Sequence, residues 1–486
     1  MRRIAAILIA ASFSLSCCAQ ATPRRAAAPA RSVRFTLMDR TRLDSWQWFA
    51  APPESASYAY GESLLRIGIA QSISHWDWKL ELAQAAIIDA PANAVSPVSA
   101  QGQLGLGGSY YAANGNNSYP AAAFFKQGFA RYRFRGRERN LRLGRFEFVE
   151  GQETKPADST IAWLQTNRIA HRLIGNFAFS NAQRSFDGFD ANYGSGSWTV
   201  TAMAARTDQG VFNMNGNPEL NVDLQYLAVT RSAAGGHVLA RAFGVGYHDG
   251  RTGLTKTDNR PLAARQADHK NIRLGTYGGD VLAAIPAGPG SFDFLFWGAL
   301  QNGNWGVQNH QAGAAAIEGG YRLISIASSP WLRAGWFRST GDNHPADNTH
   351  NTFFQILPTP RVYARTPFYN LMNSTDEFVQ LADRPSRKLA FRADLHGLRV
   401  TSAKDLWYLG GGAYDNKAFG YVGRPANEHL AFASLADISA DWQTTSSLAL
   451  NFYYGHAWGR SIPEAIYPTG HNLQYGYAEL VYHWGD

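Results

Sequence analysis

Phe129-Ala130-Arg131-Tyr132-Arg133-Phe134-Arg135 decides the fold. Arg131, Arg133 and Arg135 share one parity, and Ala130, Tyr132 and Phe134 share the other. A helix would scatter the three guanidinium groups around its circumference, whereas a strand, whose side chains alternate between two faces, gathers them in one column. The same period recurs in Leu389-Ala390-Phe391-Arg392-Ala393-Asp394-Leu395-His396, with Leu389, Phe391, Ala393 and Leu395 on the apolar face and Arg392, Asp394 and His396 on the wet one. Leu448, Leu450, Phe452 and Tyr454 repeat it. Strands with one face in lipid and one in water are those of an antiparallel up-and-down transmembrane β-barrel.

The last strand reads as Gly476, Ala478, Leu480, Tyr482 and Trp484 alternating with Tyr477, Glu479, Val481 and His483. This resembles the C-terminal strand by which outer-membrane barrels are recognised for assembly, although Gly485 and Asp486 still follow the aromatic end. Leu141-Arg142-Leu143-Gly144-Arg145-Phe146-Glu147-Phe148 changes apolar parity at Gly144, which predicts a bulge there. Connections are of two kinds, short turns such as Gly194-Ser195-Gly196 and long polar stretches such as 249–270 and 341–351, and the fold predicts long loops on one side. Thr160 to Leu173 has near-helical spacing and reads as a short helix or an in-folded loop.

Composition agrees with a barrel. The chain is 13% aromatic, with 47 Gly, 14 Trp and 22 Tyr, yet its mean hydropathy is −0.28. Alternating lipid-facing and water-facing residues produce that combination. Arg2 and Arg3, an apolar run from Ile4 to Leu15 and Ala19-Gln20-Ala21 read as a signal peptide over 1–21, cleaved after Ala21. Lipoprotein processing at Cys17 or Cys18 is the weaker alternative, because the residue order around neither fits. Residues 22–32 read as a flexible mature N-terminus, and 33–486 as the barrel. Losing Arg2 and Arg3 takes the formal charge from +8 to +6, too modest to imply nucleic acid and suited to an anionic partner. Beyond residue 21 no apolar run reaches the roughly 20 residues that a membrane helix needs.

The arginine column suits either the polar wall of any porin or a positive ring that selects anions. Arg142, Arg145, Arg168, Arg172 and Arg184 follow within a short span and favour the ring, since guanidinium pairs bidentately with carboxylates such as those of uronic acids. Glu147 and Asp187 read as counter-charge for these arginines; together with Glu150 and Glu153 they are also the carboxylates a glycan hydrolase or lyase would use. No nucleophile elbow or zinc-protease motif accompanies them, so no enzyme, cofactor or metal is expected. The stretch 341–351 is rich in oxygen ligands and reads as a solvated loop rather than a calcium site, and Lys256 as an external basic residue. Trp46, Trp48, Trp76, Trp78, Trp442, Trp458 and Trp484 read mostly as an interfacial belt.

Leu141 to Phe148, Arg168-Ile169-Ala170-His171-Arg172-Leu173-Ile174-Gly175 and Arg184-Ser185-Phe186-Asp187-Gly188 carry a family resemblance. So do Gly341-Asp342, the run from Phe353 to Arg365, Asp405-Leu406-Trp407-Tyr408 and Phe419-Gly420-Tyr421. In their order and spacing they resemble the alginate export family of outer-membrane barrels. The resemblance implies a monomeric barrel of about 18 strands in the outer membrane, with a positive constriction through which a polyuronate passes. It assigns that constriction to Arg145, Arg168, Arg172, Arg184 and Asp187; the strand reading adds Arg131, Arg133, Arg135, Arg142, Glu147 and Arg392. Expected partners are an anionic polysaccharide, outer-membrane lipid and lipopolysaccharide, the barrel assembly machinery and periplasmic export proteins. A diffusive porin for small anions is the alternative function.

Overall fold

The computed structural model describes residues 32–54, 56–134 and 139–485. The expected signal peptide, nearly all of the expected N-terminal tail, and Arg135 lie outside the described residues. Eighteen antiparallel strands, each paired to its sequence neighbours, form a closed wall. Closure is made by the first strand, Arg34–Gln47, pairing with the last, Asn472–Trp484, from Leu37 opposite Trp484 to Gln47 opposite Gln474. That register is what a barrel requires to leave no unpaired edge in lipid.

Alternation sets the two faces as read. Leu143, Phe391, Leu395, Phe452 and Tyr454 are 41–63% exposed on the outside, whereas Asp394, His396 and Tyr453 face inward and are buried. Outward apolar side chains such as Leu82, Leu300 and Leu332 continue this around the wall, far more apolar surface than a water-soluble monomer exposes. Trp76, Trp442 and Trp484 point outward at the end that also holds the short turns 74–75, 196–197, 288–289 and 387–388. They form the aromatic belt of that end. Trp458 is outward near the opposite rim, but Trp46 and Trp48 are 2% and 1% exposed and belong to the interior.

Gly144 corrects the expected bulge. Pairing runs unbroken through it, with Phe129 opposite Gly144 on one side and Gly188 on the other. Gly144 instead adopts φ +122, and a Cβ there would stand 2.3 Å from the Gly128 carbonyl oxygen. The register shift occurs one strand earlier, opposite Glu81 and Leu82, where Lys126 and Gln127 both turn inward and are buried.

Long connections at the other end, among them 89–120, 147–185, 340–373 and 401–430, fold into the barrel. The connection 147–185 carries the expected short helix, Ser159–Leu164, continued by a wider turn, Gln165–Ile169. Asp158 caps the helix, accepting from the amides of Thr160 and Ile161, and its carboxylate lies 3.3 Å from His237 in a turn at the short-turn end. The loop therefore crosses the lumen from one rim towards the other. Its Ile161, Leu164, Ile169 and Leu173 pack on inward wall residues such as Leu224, Tyr226 and Trp297. A parallel bridge joins Ile174 to Leu357 of the second inward loop. Burial of this apolar surface, at about 25 cal/mol per Å², holds the loops inside the wall.

Candidate functional site

Two arginines of the strand Ala121–Arg133 stand where the alternation puts them. Arg133 faces the lumen near the short-turn end, 3.1 Å from Asp77, and the Arg131 guanidinium lies 5.5 Å from the centre of the Phe129 ring. Arg142 also faces inward, paired with Asp190 and placed over the Phe146 ring at 4.3 Å.

The other expected constriction residues are placed differently. Arg145 and Asp187 pair with each other at 2.5 Å on the outer face of the wall, at the long-loop rim, since Arg145 shares the parity of the outward Leu143. Further donors of Arg145 go to the carbonyls of Phe125, Gly216 and Asn217. Glu147 consequently does not neutralise Arg145. It faces the lumen, 2.7 Å from Arg66 and 3.6 Å from Lys126. Burial alone would raise its carboxyl, but these two cations hold it down to about 2. Glu147 and Asp187, on opposite faces of the wall, do not form a catalytic carboxylate pair.

Arg168, Arg172 and Arg184 face the lumen side of the wall but line no open space, being 0%, 1% and 0% exposed. Arg168 and Arg172 each lie 3.4 Å from Glu318; Arg168 donates to the Val362 carbonyl at 2.8 Å and Arg172 to the Tyr363 hydroxyl at 2.8 Å. Arg184 donates to four backbone carbonyls, of Gly175, Leu357, Gly411 and Ala413. Burial pushes the Arg168 and Arg184 guanidinium groups down to about 10, so both remain charged at neutral pH. Three inward loops thus meet on Arg184, which acts as a clamp within the fold.

The open space lies elsewhere. A cavity of about 200 Å³ opens among the long loops, lined by Arg361 and Arg424, by aromatic side chains including Phe177, Phe179 and Tyr414, and by no carboxylate. A second, of about 190 Å³, opens at the short-turn end and is lined by Arg322, Arg365, Arg384 and Arg392 against Asp383 and Asp441. Arg361 and Arg365 belong to one inward segment and stand between the two cavities. The Arg361 guanidinium stacks on Phe179, 3.5 Å from the ring centre, and donates to the Arg365 carbonyl at 2.9 Å. Arg365 makes a two-pronged pair with Asp441 at 2.9 and 3.1 Å. Both reach the Tyr477 hydroxyl of the closing strand, at 3.4 and 3.5 Å.

Among the described residues expected at the constriction, Arg392 lines the second of these cavities, holding Asp394 and the Tyr363 carbonyl. Arg361 and Arg365 lie outside the expected set because their segment has no strand alternation. The available signal was a pair of arginines four apart, close behind Pro358 and Pro360, inside a stretch that carries the family resemblance.

The loop readings also change. Lys256 is buried, donating to the Asp268 carbonyl at 2.8 Å, so it staples its loop and is not an external charge. Within 341–351, Asn343, His344, Asp347 and Asn348 are exposed, but Asp342 and His350 are buried, His350 stacking on Trp305 at 4.2 Å.

The family model for alginate export matches residues 123–462. The chain belongs to the alginate export family. No curated protein matches the chain by sequence. Among solved structures it is similar to OccAB1 of Acinetobacter baumannii, with a TM-score of 0.59 at 10% identity over 93% of this chain and 96% of that one. OccAB2 of the same organism gives 0.58 at 8% identity, covering 93% and 98%. OpdK of Pseudomonas aeruginosa, crystallised with vanillate, gives 0.55 at 7%, also covering 93% and 98%. At these identities the likeness is one of fold, that of outer-membrane porins. Family and fold are those of a porin-like channel rather than an enzyme.

Proposed function

We propose that this alginate export family barrel passes an anionic polysaccharide of the polyuronate class through the outer membrane, with Arg361 and Arg365 as the selecting pair. The carrying observation is the charge of the path: two arginines and no carboxylate line the long-loop cavity, and four arginines face two aspartates in the short-turn cavity. Guanidinium binds carboxylate in a planar, two-pronged fashion, and a cation held in a narrow, water-poor lumen is weakly screened. Phe177, Phe179 and Tyr414 beside Arg361 offer flat apolar faces on which sugar rings can slide while their carboxylates pass between guanidinium groups. Passage of this kind is passive.

The modest volumes of the two cavities favour a second reading, a diffusive porin for small anions. Planar-bilayer recording separates the two. For the exporter, oligouronates block an anion-selective current and neutral glucans of equal length do not; for the porin, small monovalent carboxylates permeate and long oligouronates have no special effect. Arg361→Glu combined with Arg365→Glu is expected to shift the reversal potential from anion towards cation preference and abolish the oligouronate block. A double variant with wild-type reversal potential and block removes these two side chains from the selecting role.

A further inference from the structure

On the lumenal face of the strands Ser374–Ser386, Leu389–Val400 and Ala431–Gln443 lies a cluster that the channel reading does not use. Asp376, Gln380, Asp394, His396 and Asp437 are all buried there. Asp394 stands directly opposite Asp437 in the ladder. Like charges directly opposite each other destabilise a sheet, so such a pair calls for a shared proton or a cation between its members. The guanidinium bonded to this group is that of Arg392, on Asp394, against three carboxylates.

Donor atoms of Asp394, His396 and Asp437 lie within 4.8 Å of one another. Among the described residues, His396 Nε2, Asp437 Oδ2 and Gln380 Oε1 have no hydrogen-bond partner although buried. The other imidazole nitrogen, Nδ1, lies 2.9 Å from Asp376. When a neutral histidine donates Nδ1–H to a carboxylate, the lone pair sits on Nε2, and this carboxylate–histidine arrangement is the usual outer support of a metal-bound imidazole.

We propose that Asp394, His396 and Asp437 bind one divalent transition ion of the zinc type, with Gln380 Oε1 as a further oxygen donor and Asp376 orienting the imidazole. A nitrogen with two carboxylates is a donor set for zinc or manganese; calcium takes oxygen ligands in larger number. The ion supplies the missing positive charge between Asp394 and Asp437. It also has a mechanical consequence. Arg392 donates to the Tyr363 carbonyl, and the Tyr369 hydroxyl donates to Asp376 at 2.9 Å, so the cluster holds the inward segment on both sides of Arg365. Binding the ion fastens the segment that carries Arg361 and Arg365 to the wall.

The test uses untagged, detergent-purified barrel, because the chain has 13 histidines of its own and a tag would add more. The protein is stripped with chelator, dialysed against zinc, manganese or calcium, and assayed for bound metal by elemental analysis. We expect one zinc or manganese per barrel, no stoichiometric calcium, and a higher melting temperature when loaded. His396→Ala and the near-isosteric Asp437→Asn should each reduce retention at least tenfold while keeping heat-modifiable gel migration. His456→Ala, an outward residue on the neighbouring strand Leu448–Gly459, should retain the ion. Folded wild-type barrel that keeps no stoichiometric zinc or manganese overturns the proposal, whatever the variants do. So does equal retention by folded Asp437→Asn, or preference for calcium.

Discussion

The wall strand Ala121–Arg133 and the inward loop 147–185 both present rows of arginine, and the two rows behave oppositely. Arg131 and Arg133 on the strand stay partly open to the lumen. Arg168, Arg172 and Arg184 on the loop are sealed among carbonyls, Glu318 and aromatic rings. The same residue type thus serves as a pore lining in one region and as structural glue in the other. On a strand the pleat fixes which way a side chain points. In a loop that crosses a lumen the backbone carries many carbonyls that no ladder satisfies, and a guanidinium with five donors is the side chain best able to collect them.

Removing part of the wall should have the largest effect. Deletion of 480–486 strips the rungs from Leu480 opposite Thr41 to Trp484 opposite Leu37, and we expect no closed barrel, seen as loss of heat-modifiable migration. A truncated chain that still assembles would show that closure does not depend on these rungs. Next comes Arg184→Ala, which leaves the wall intact but orphans four carbonyl acceptors. A loss of about 3 kcal/mol or more is expected in unfolding experiments, since each buried orphan costs about 1–3 kcal/mol before relaxation. Arg131→Ala, a lining residue, should change stability by only about 0.5 kcal/mol. Equal melting of the two variants would erase the distinction between lining and glue.

Acid should loosen the loops while sparing the wall. His171 Nδ1 lies 3.2 Å from the Thr359 hydroxyl, joining the two inward loops, and burial pushes its imidazole down to about 4. Because the folded value is depressed, the neutral form stabilises the fold fully above the ordinary 6.5, and that contribution is lost as pH falls from 6.5 towards 4. Glu147, held at about 2 against an ordinary 4.5, keeps its contribution above 4.5 and loses it only as pH falls from there towards 2. Single-channel noise should therefore rise between pH 6.5 and 4, and His171→Gln should flatten that rise. Noise that sets in only below pH 4.5 would assign the effect to Glu147 or another carboxylate. On conduction the smallest effect is expected from Arg145→Ala. Arg145 pairs with Asp187 on the outer face and points away from the path, so reversal potential should stay unchanged. A measurable shift would place Arg145 in the lining after all.

The sequence by itself determined the wall. Alternation in 129–134, 389–396 and 448–454 named the lipid and water faces correctly, and 476–484 identified the closing strand. Side-chain direction in a strand repeats every two residues, so a few residues suffice to read it. Even here the bulge at Lys126 and Gln127 was not legible, because the residue left over in a register shift depends on what the neighbouring strand places opposite. Tertiary structure alone decided which arginines line the path. Whether a loop residue such as Arg184 or Arg361 meets a carbonyl, a ring or open space depends on segments more than a hundred residues away, among them Leu357, Gly411 and Tyr477. No local period records those encounters; they exist only once the loops have folded into the closed wall.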